Sequence, residues 1–189
     1  MPSGKIIIIS APSGTGKSTI INRIITDKSL HLQFSVSATN RQPRKGEEDG
    51  VNYYFLSTEA FKKAIAENAF LEYEEVYPGR FYGTLRSEIT RITGQGNNVI
   101  LDIDVKGGIN IKRQYPEALT IFIQPPSIAT LRQRLEGRGT DSQETIDQRV
   151  AKAEYELSFA PKYDKIVIND ILDEAVARTA AIISDFIKQ

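Results

Sequence analysis

Ile6-Ile7-Ile8-Ile9-Ser10-Ala11-Pro12-Ser13-Gly14-Thr15-Gly16-Lys17-Ser18-Thr19-Ile20-Ile21 is the stretch on which the reading of this chain turns. Four branched apolar residues predict a short buried strand. Ile20, Ile21, Ile24 and Ile25 predict a helix with an apolar stripe facing a sheet, and a glycine-bearing loop joins the two. The loop has the form of a Walker A segment in its required strand-to-helix setting. Gly14 and Gly16 allow the backbone to wrap closely around phosphate oxygens. The following helix aims its unpaired N–H groups and positive dipole end at the same place. Lys17 is then positioned to neutralise β and γ phosphates, and the Ser18 hydroxyl to ligate magnesium. Ala11 stands where the general pattern has its first glycine, so the backbone there must avoid a glycine-only conformation. The plainer alternative, a turn that merely joins strand to helix, leaves a lysine beside two glycines without a structural reason.

Outward from this stretch, short branched runs at 34–36, 99–103, 120–123 and 165–168 alternate with helical patterns, the signature of an α/β domain with a buried parallel sheet. Val176, Ala180, Ile183 and Ile187 predict a closing helix. Two stretches break the alternation. Residues 37–92 hold a polar loop, a strand at 53–56, a helix around Phe61 and Ile65, and a period-two run over 71–77, which predicts a small α+β insertion. Residues 127–158 predict two helices joined by Gly137-Arg138-Gly139-Thr140, with Asp141 and Glu144 at capping-box spacing where the second begins; a hinged pair of this kind behaves as a lid.

Composition narrows the chemistry. The 189 residues are 40% hydrophobic and 25% charged, which excludes disorder, collagen and coiled coil. Lys plus Arg (24) balance Asp plus Glu (24), so anion binding is local and no field draws the chain to nucleic acid or an anionic membrane. The absence of Cys removes disulfides, thiolate metal sites and a cysteine nucleophile, and the lone His31 makes a histidine metal site or a Ser-His-Asp triad a poor fit. The opening apolar run is too short for a signal or membrane segment, so a cytoplasmic protein is expected.

Three further groups of residues point to nucleotides. Val99-Ile100-Leu101-Asp102-Ile103-Asp104 is an apolar strand ending in carboxylates, where ligands gather in doubly wound sheets; Asp102 is placed to orient a magnesium shell through water, and the pleat turns Asp104 to the same side. Arg41-Gln42-Pro43-Arg44 sets two guanidiniums around a stiffening proline, suited to forked phosphate recognition, although Glu47, Glu48 and Asp49 offset the charge. Tyr53 and Tyr82 add phenols that can donate to phosphate. Glu72 shares a face with Glu74 and can accept the N1–H and 2-amino donors of guanine, a match that adenine lacks.

These residues resemble the guanylate kinase family, in its bacterial form, over essentially the whole chain. The likeness rests on residues 10–19, Ser35-Val36-Ser37, 39–47, Tyr82-Gly83-Thr84, Leu101-Asp102-Ile103-Asp104, Pro125-Pro126-Ser127, 134–139 and Val167-Ile168-Asn169-Asp170. It implies an α/β fold: a P-loop NTPase-like parallel sheet flanked by helices (1–36, 93–126 and 159–189), an inserted GMP-binding domain (37–92) and a helical lid (127–158). By the resemblance, Arg41, Arg44, Tyr53 and Tyr82 hold the GMP phosphate, while Ser37, Glu72, Thr84 and Asp104 read guanine. ATP falls to Lys17 with the loop from Ala11, Pro12, Ser13, Gly14, Thr15 and Gly16 to Ser18 and Thr19. Arg134, Arg138 and Arg149 match lid and hinge arginines that reach the transferring phosphoryl group, and Asn169 with Asp170 matches the segment beside adenine.

The implied reaction is Mg²⁺-dependent transfer of the ATP γ-phosphoryl group to GMP or dGMP, by a monomer or small homo-oligomer. Two anions must be brought together, which Lys17, Mg²⁺, Arg41, Arg44, Arg138 and Arg149 offset jointly; the attacking phosphate is already an anion, so no general base or covalent intermediate is expected. Two rivals differ in their residues. A phosphopeptide-binding module of this family lacks an intact phosphate loop, and a kinase acting on a ribose bisphosphate lacks the guanine-reading set.

Overall fold

The computed structural model describes residues 4–137, 139 and 141–189. In chain order its elements are β1 (Ile6–Ser10), α1 (Lys17–Ile24), β2 (Leu32–Phe34), β3 (Ala38–Thr39), β4 (Tyr54–Phe55), α2 (Thr58–Ala66), β5 (Phe70–Tyr77), β6 (Arg80–Leu85), α3 (Arg86–Gly94), β7 (Asn98–Asp102), α4 (Val105–Gln114), β8 (Leu119–Gln124), α5 (Ile128–Glu136), α6 (Gln143–Leu157), β9 (Lys165–Ile168) and α7 (Leu172–Ile187). One sheet has the order β2-β7-β1-β8-β9 and the other β4-β3-β6-β5. The first sheet's β1–β8 and β8–β9 pairs are parallel. The fold is therefore α/β, with a mostly parallel central sheet flanked by helices.

The chain forms two compact units, Met1–Ile6 with Gln33–Val99 and Ile7–Leu32 with Ile100–Gln189. Every residue of β1 is buried, as expected for a strand covered on both faces. Ile7 and Ile9 pack with Ile20, Ile21 and Ile24 of α1, Ile121 and Ile123 of β8, and Ile183 of α7. α5 and α6 pack on each other through Leu131, Leu135, Ile146, Val150 and Ala153. The first unit has a smaller aromatic core, in which Phe61 of α2 stacks on Phe70 of β5 and on Phe81 of β6 at centroid distances of 4.3 and 5.5 Å.

Several expectations shift. The strand read at 34–36 lies two residues earlier, at β2, and the Val36 N–H donates to a Glu88 carboxylate oxygen at 3.1 Å. Asp141 does not cap α6. Ser142 does, accepting from Thr145 N, while Asp141 pairs with Arg149. β7 ends at Asp102, so Asp104 is no longer on the pleat; it caps α4, accepting from the backbone N–H groups of Lys106 and Gly107 at 2.7 and 2.9 Å. The helices α3 and α4 went unread, α4 because Gly107-Gly108 interrupts its pattern. Among the described residues no helix is long and apolar enough to cross a membrane.

Candidate active site

In the second unit the segment between β1 and α1 lines a cavity of about 410 Å³, together with Asp102, Ile103, Asp104 and Glu156. Gly14 and Gly16 have φ of 91° and 89°, the left-handed region where a side chain is strained. Gly16 is the N-cap of α1, no side chain caps that end, and its first turn holds no acid. Its leading N–H groups thus stay available to an anion. Thr15 is fully buried, and its hydroxyl donates to the Pro12 carbonyl at 2.9 Å. Ser18 and Thr19 are exposed at the helix start. Lys17 pairs with the Asp102 carboxylate, so loop cation and strand-end acid sit side by side in one cavity.

The two helices after β8 also reach this loop within the same unit. Arg149 of α6 donates to Ser13 Oγ at 2.6 Å. Arg134 of α5 donates to the backbone carbonyls of Asn169 and Asp170 at 2.9 and 3.3 Å, and the Asn169 carboxamide donates to the Thr15 carbonyl at 2.7 Å. Arg138 lies outside the described residues. Glu156, unremarked in the sequence, is 8% exposed and lines the cavity from α6. Burial raises its carboxyl above the usual range, with Lys152 and Lys17 pulling it partly back. The signal for it was available: the buried stripe Ile146, Val150, Ala153 continues by three to Glu156.

In the first unit the guanidinium of Arg41 makes two hydrogen bonds to Glu47, at 2.6 and 2.7 Å, and lies 5.0 Å from the Tyr53 ring centre and 5.5 Å from that of Phe55. Glu47 also accepts from the Arg44 backbone N–H at 2.7 Å. The Arg41 hydrogen bond, helped by the Arg44 N–H, holds the Glu47 carboxyl down to about 2, and Glu47 in turn raises Arg41 further above its ordinary value. Arg41 Nε is buried and makes no hydrogen bond among the described residues. The Tyr82 ring meets Tyr53 edge-on at 5.9 Å. Arg41 and exposed Arg44 share a cavity of about 430 Å³ with Asn40, Thr58 and Arg80; Asn40 and Arg80 were not foreseen.

Of the residues matched to guanine, Ser37, Glu72 and Thr84 belong to the first unit. Glu72 faces Thr84 across the β5–β6 ladder and accepts its hydroxyl at 2.8 Å. Ser37 precedes β3, and its carbonyl accepts the Tyr54 N–H at 2.9 Å. Asp104 belongs to the second unit. Glu88 is a hub that sequence reading missed. It is buried and accepts from Val36 N, the Tyr54 hydroxyl and the Arg91 guanidinium. Burial would raise its carboxyl, but Arg91 and these other donors outweigh that and lower it.

Comparison with known proteins is consistent across three levels. The family model described as Guanylate kinase matches residues 3–186. A guanylate kinase of Bacteroides fragilis is 58% identical over 184 residues, spanning 97% of this chain and 90% of that protein. One from Porphyromonas gingivalis is 55% identical over 184 residues, 97% of this chain and 98% of its own. The crystal structure of guanylate kinase from Anaplasma phagocytophilum superposes with a TM-score of 0.77 at 30% identity, covering 100% of this chain and 88% of that one.

Proposed function

The chain belongs to the guanylate kinase family and is a phosphotransferase, and from that premise we propose that it transfers the ATP γ-phosphoryl group to GMP or dGMP. The products are ADP and GDP (dGDP from dGMP), formed in one in-line step with no covalent enzyme intermediate. The observation that carries the reading is Lys17 beside an uncapped helix N-terminus, in the same cavity as Asp102. The loop backbone takes up the ATP phosphates, Lys17 leaves Asp102 for the β and γ oxygens, and Arg149 approaches over Ser13. Residues 37–92 serve GMP, with Arg41, Arg44, Tyr53 and Tyr82 on its phosphate and Ser37, Glu72 and Thr84 on its base; Asp104, which lies outside that stretch and caps α4, is assigned to the base by the family resemblance alone. Residues 127–158 act as the lid, contributing Arg134, Arg138 and Arg149.

The barrier is mainly charge. Each pair of like charges about 4 Å apart costs roughly 4 kcal/mol at an effective dielectric near 20, so one lysine is not enough and several fixed cations are needed. The acceptor is already an oxyanion, which removes any need for a general base. The Ser18 hydroxyl and Asp102 carboxylate line one cavity and are hard oxygen donors, a set that fits Mg²⁺ completed by nucleotide phosphates and water. When bound, Mg²⁺ neutralises and orients the β and γ oxygens. Ser18 would touch it directly and Asp102 through water.

A coupled assay of ADP formation, with ATP, Mg²⁺ and each nucleoside monophosphate in turn, tests this. GMP should exceed AMP, CMP and UMP by roughly 10⁴ or more in kcat/KM. Comparable turnover of AMP would reject the guanine assignment, and no turnover with any monophosphate would favour a phosphopeptide-binding module.

A further inference from the structure

The Asn169 carboxamide is buried, and it donates to the backbone carbonyl of Thr15, 154 residues away, at 2.7 Å. The assignment of its nitrogen is chemically forced, because a carbonyl oxygen only accepts. The residue is pinned on two further sides: its N–H donates to the Gln124 carbonyl at the end of β8, and its own carbonyl accepts from Arg134 at 2.9 Å. A methyl group on Gly16 would come within 2.5 Å of the same nitrogen, so the carboxamide lies directly against the loop. No peptide bond among the described residues is cis. A planar trans peptide points its carbonyl and its N–H in opposite directions. Holding the Thr15 carbonyl therefore turns the Gly16 N–H away from Asn169, and Gly16 lines the cavity.

We infer that Asn169 is a positioning residue of the phosphate loop: it fixes the Thr15–Gly16 peptide so that the Gly16 N–H is presented to nucleotide phosphate, and Arg134 locks the segment that carries it. The inference rests on the reading of this loop as the ATP phosphate site. It gives Asn169 a task at the phosphates instead of at the adenine base. Without the carboxamide the peptide is free to rotate, and a carbonyl oxygen turned into the cavity would repel the anion that the N–H attracts.

The test is calorimetric titration of Asn169→Asp, Asn169→Ala and Lys17→Ala with ADP and with inorganic tripolyphosphate, which carries no base. Asn169→Ala should weaken both ligands by roughly tenfold, the effect of one hydrogen bond near a charge. Asn169→Asp, of equal size but with a carboxylate facing a carbonyl, should weaken both by roughly thirtyfold or more. KM for ATP should rise in step while KM for GMP changes by less than about twofold. Loss of ADP affinity with unchanged tripolyphosphate affinity would show that Asn169 serves the base and overturn the inference. A lowered melting temperature with both affinities unchanged would make it purely structural and overturn it equally. Lys17→Ala separates the two levels. If it keeps wild-type tripolyphosphate affinity, the phosphate-loop reading itself fails; if it loses affinity while both Asn169 variants retain it, only the role of Asn169 fails.

Discussion

The phosphate loop of the second unit and the arginine loop of the first (residues 40–47), both proposed as anion sites, are built by opposite means. The phosphate loop relies on backbone: two left-handed glycines, a helix end without a cap, and a buried Thr15 peptide gripped from behind by Asn169. The arginine loop relies on side chains kept in position by other side chains, with Glu47 holding both the Arg41 guanidinium and the Arg44 N–H, and Tyr53 and Phe55 flanking Arg41. Backbone donors are fixed by the fold and survive most substitutions. A guanidinium held by a carboxylate is as good as that one partner.

The largest effect should come from Lys17→Ala, which ought to lower kcat by about a thousandfold while the folded protein still binds ADP, more weakly than wild type, through backbone N–H groups. Complete loss of ADP affinity in that variant would break the contrast. Next, Arg44→Ala should raise KM for GMP by roughly tenfold to a hundredfold, with KM for ATP unchanged in the same steady-state assay. Glu47→Gln removes the charge that aligns Arg41 and should raise KM for GMP by about fivefold. Its pH signature follows from a lowered carboxyl. The ion pair stabilises above the ordinary glutamate range and is lost as pH falls towards 2, so the melting difference between wild type and Glu47→Gln should be steady from pH 5 to 8 and shrink in stronger acid.

Two stability tests are subtler. Glu88→Gln leaves Arg91 and the Val36 N–H poorly matched in a buried site and should destabilise the protein by about 2–3 kcal/mol, measured by urea unfolding. Glu156→Gln runs the other way. Burial raises the carboxyl of Glu156, so its share of stability is present below the ordinary glutamate value and lost as pH rises through the raised one. Glutamine there should lift the melting temperature by roughly 2 °C near pH 8 and not at pH 4. A gain at both pH values would attribute the effect to packing instead of charge.

How much of this was legible depended on whether the relevant residues are neighbours in the chain. The strand, loop and α1 could be read because their periodicity and glycines lie within one short stretch, and the strand at Lys165–Ile168 was placed to the residue. The start of α6 moved by one residue because Asp141 and Ser142 are both good caps; the pull of Arg149 on Asp141 decided between them. Asp104 could not be seen as a cap because α4 itself was hidden by paired glycines. Glu88 and Glu156 were not singled out in the sequence, since burial of a carboxylate is set by what packs over it.

From its sequence alone the protein is an α/β phosphate-loop protein with guanylate kinase motifs in order, because hydrophobic period, glycine placement and cap chemistry act over a few consecutive residues. Only the tertiary structure decided which charges meet: Lys17 with Asp102, Arg41 with Glu47, Arg149 with Asp141. It alone also brought the Asn169 carboxamide behind the loop. Lys17 with Asp102 and Asn169 with Thr15 join segments far apart in the chain, and even the nearer pairs, six and eight residues apart, depend on how their loop folds and what desolvates it, which spacing along a sequence does not record.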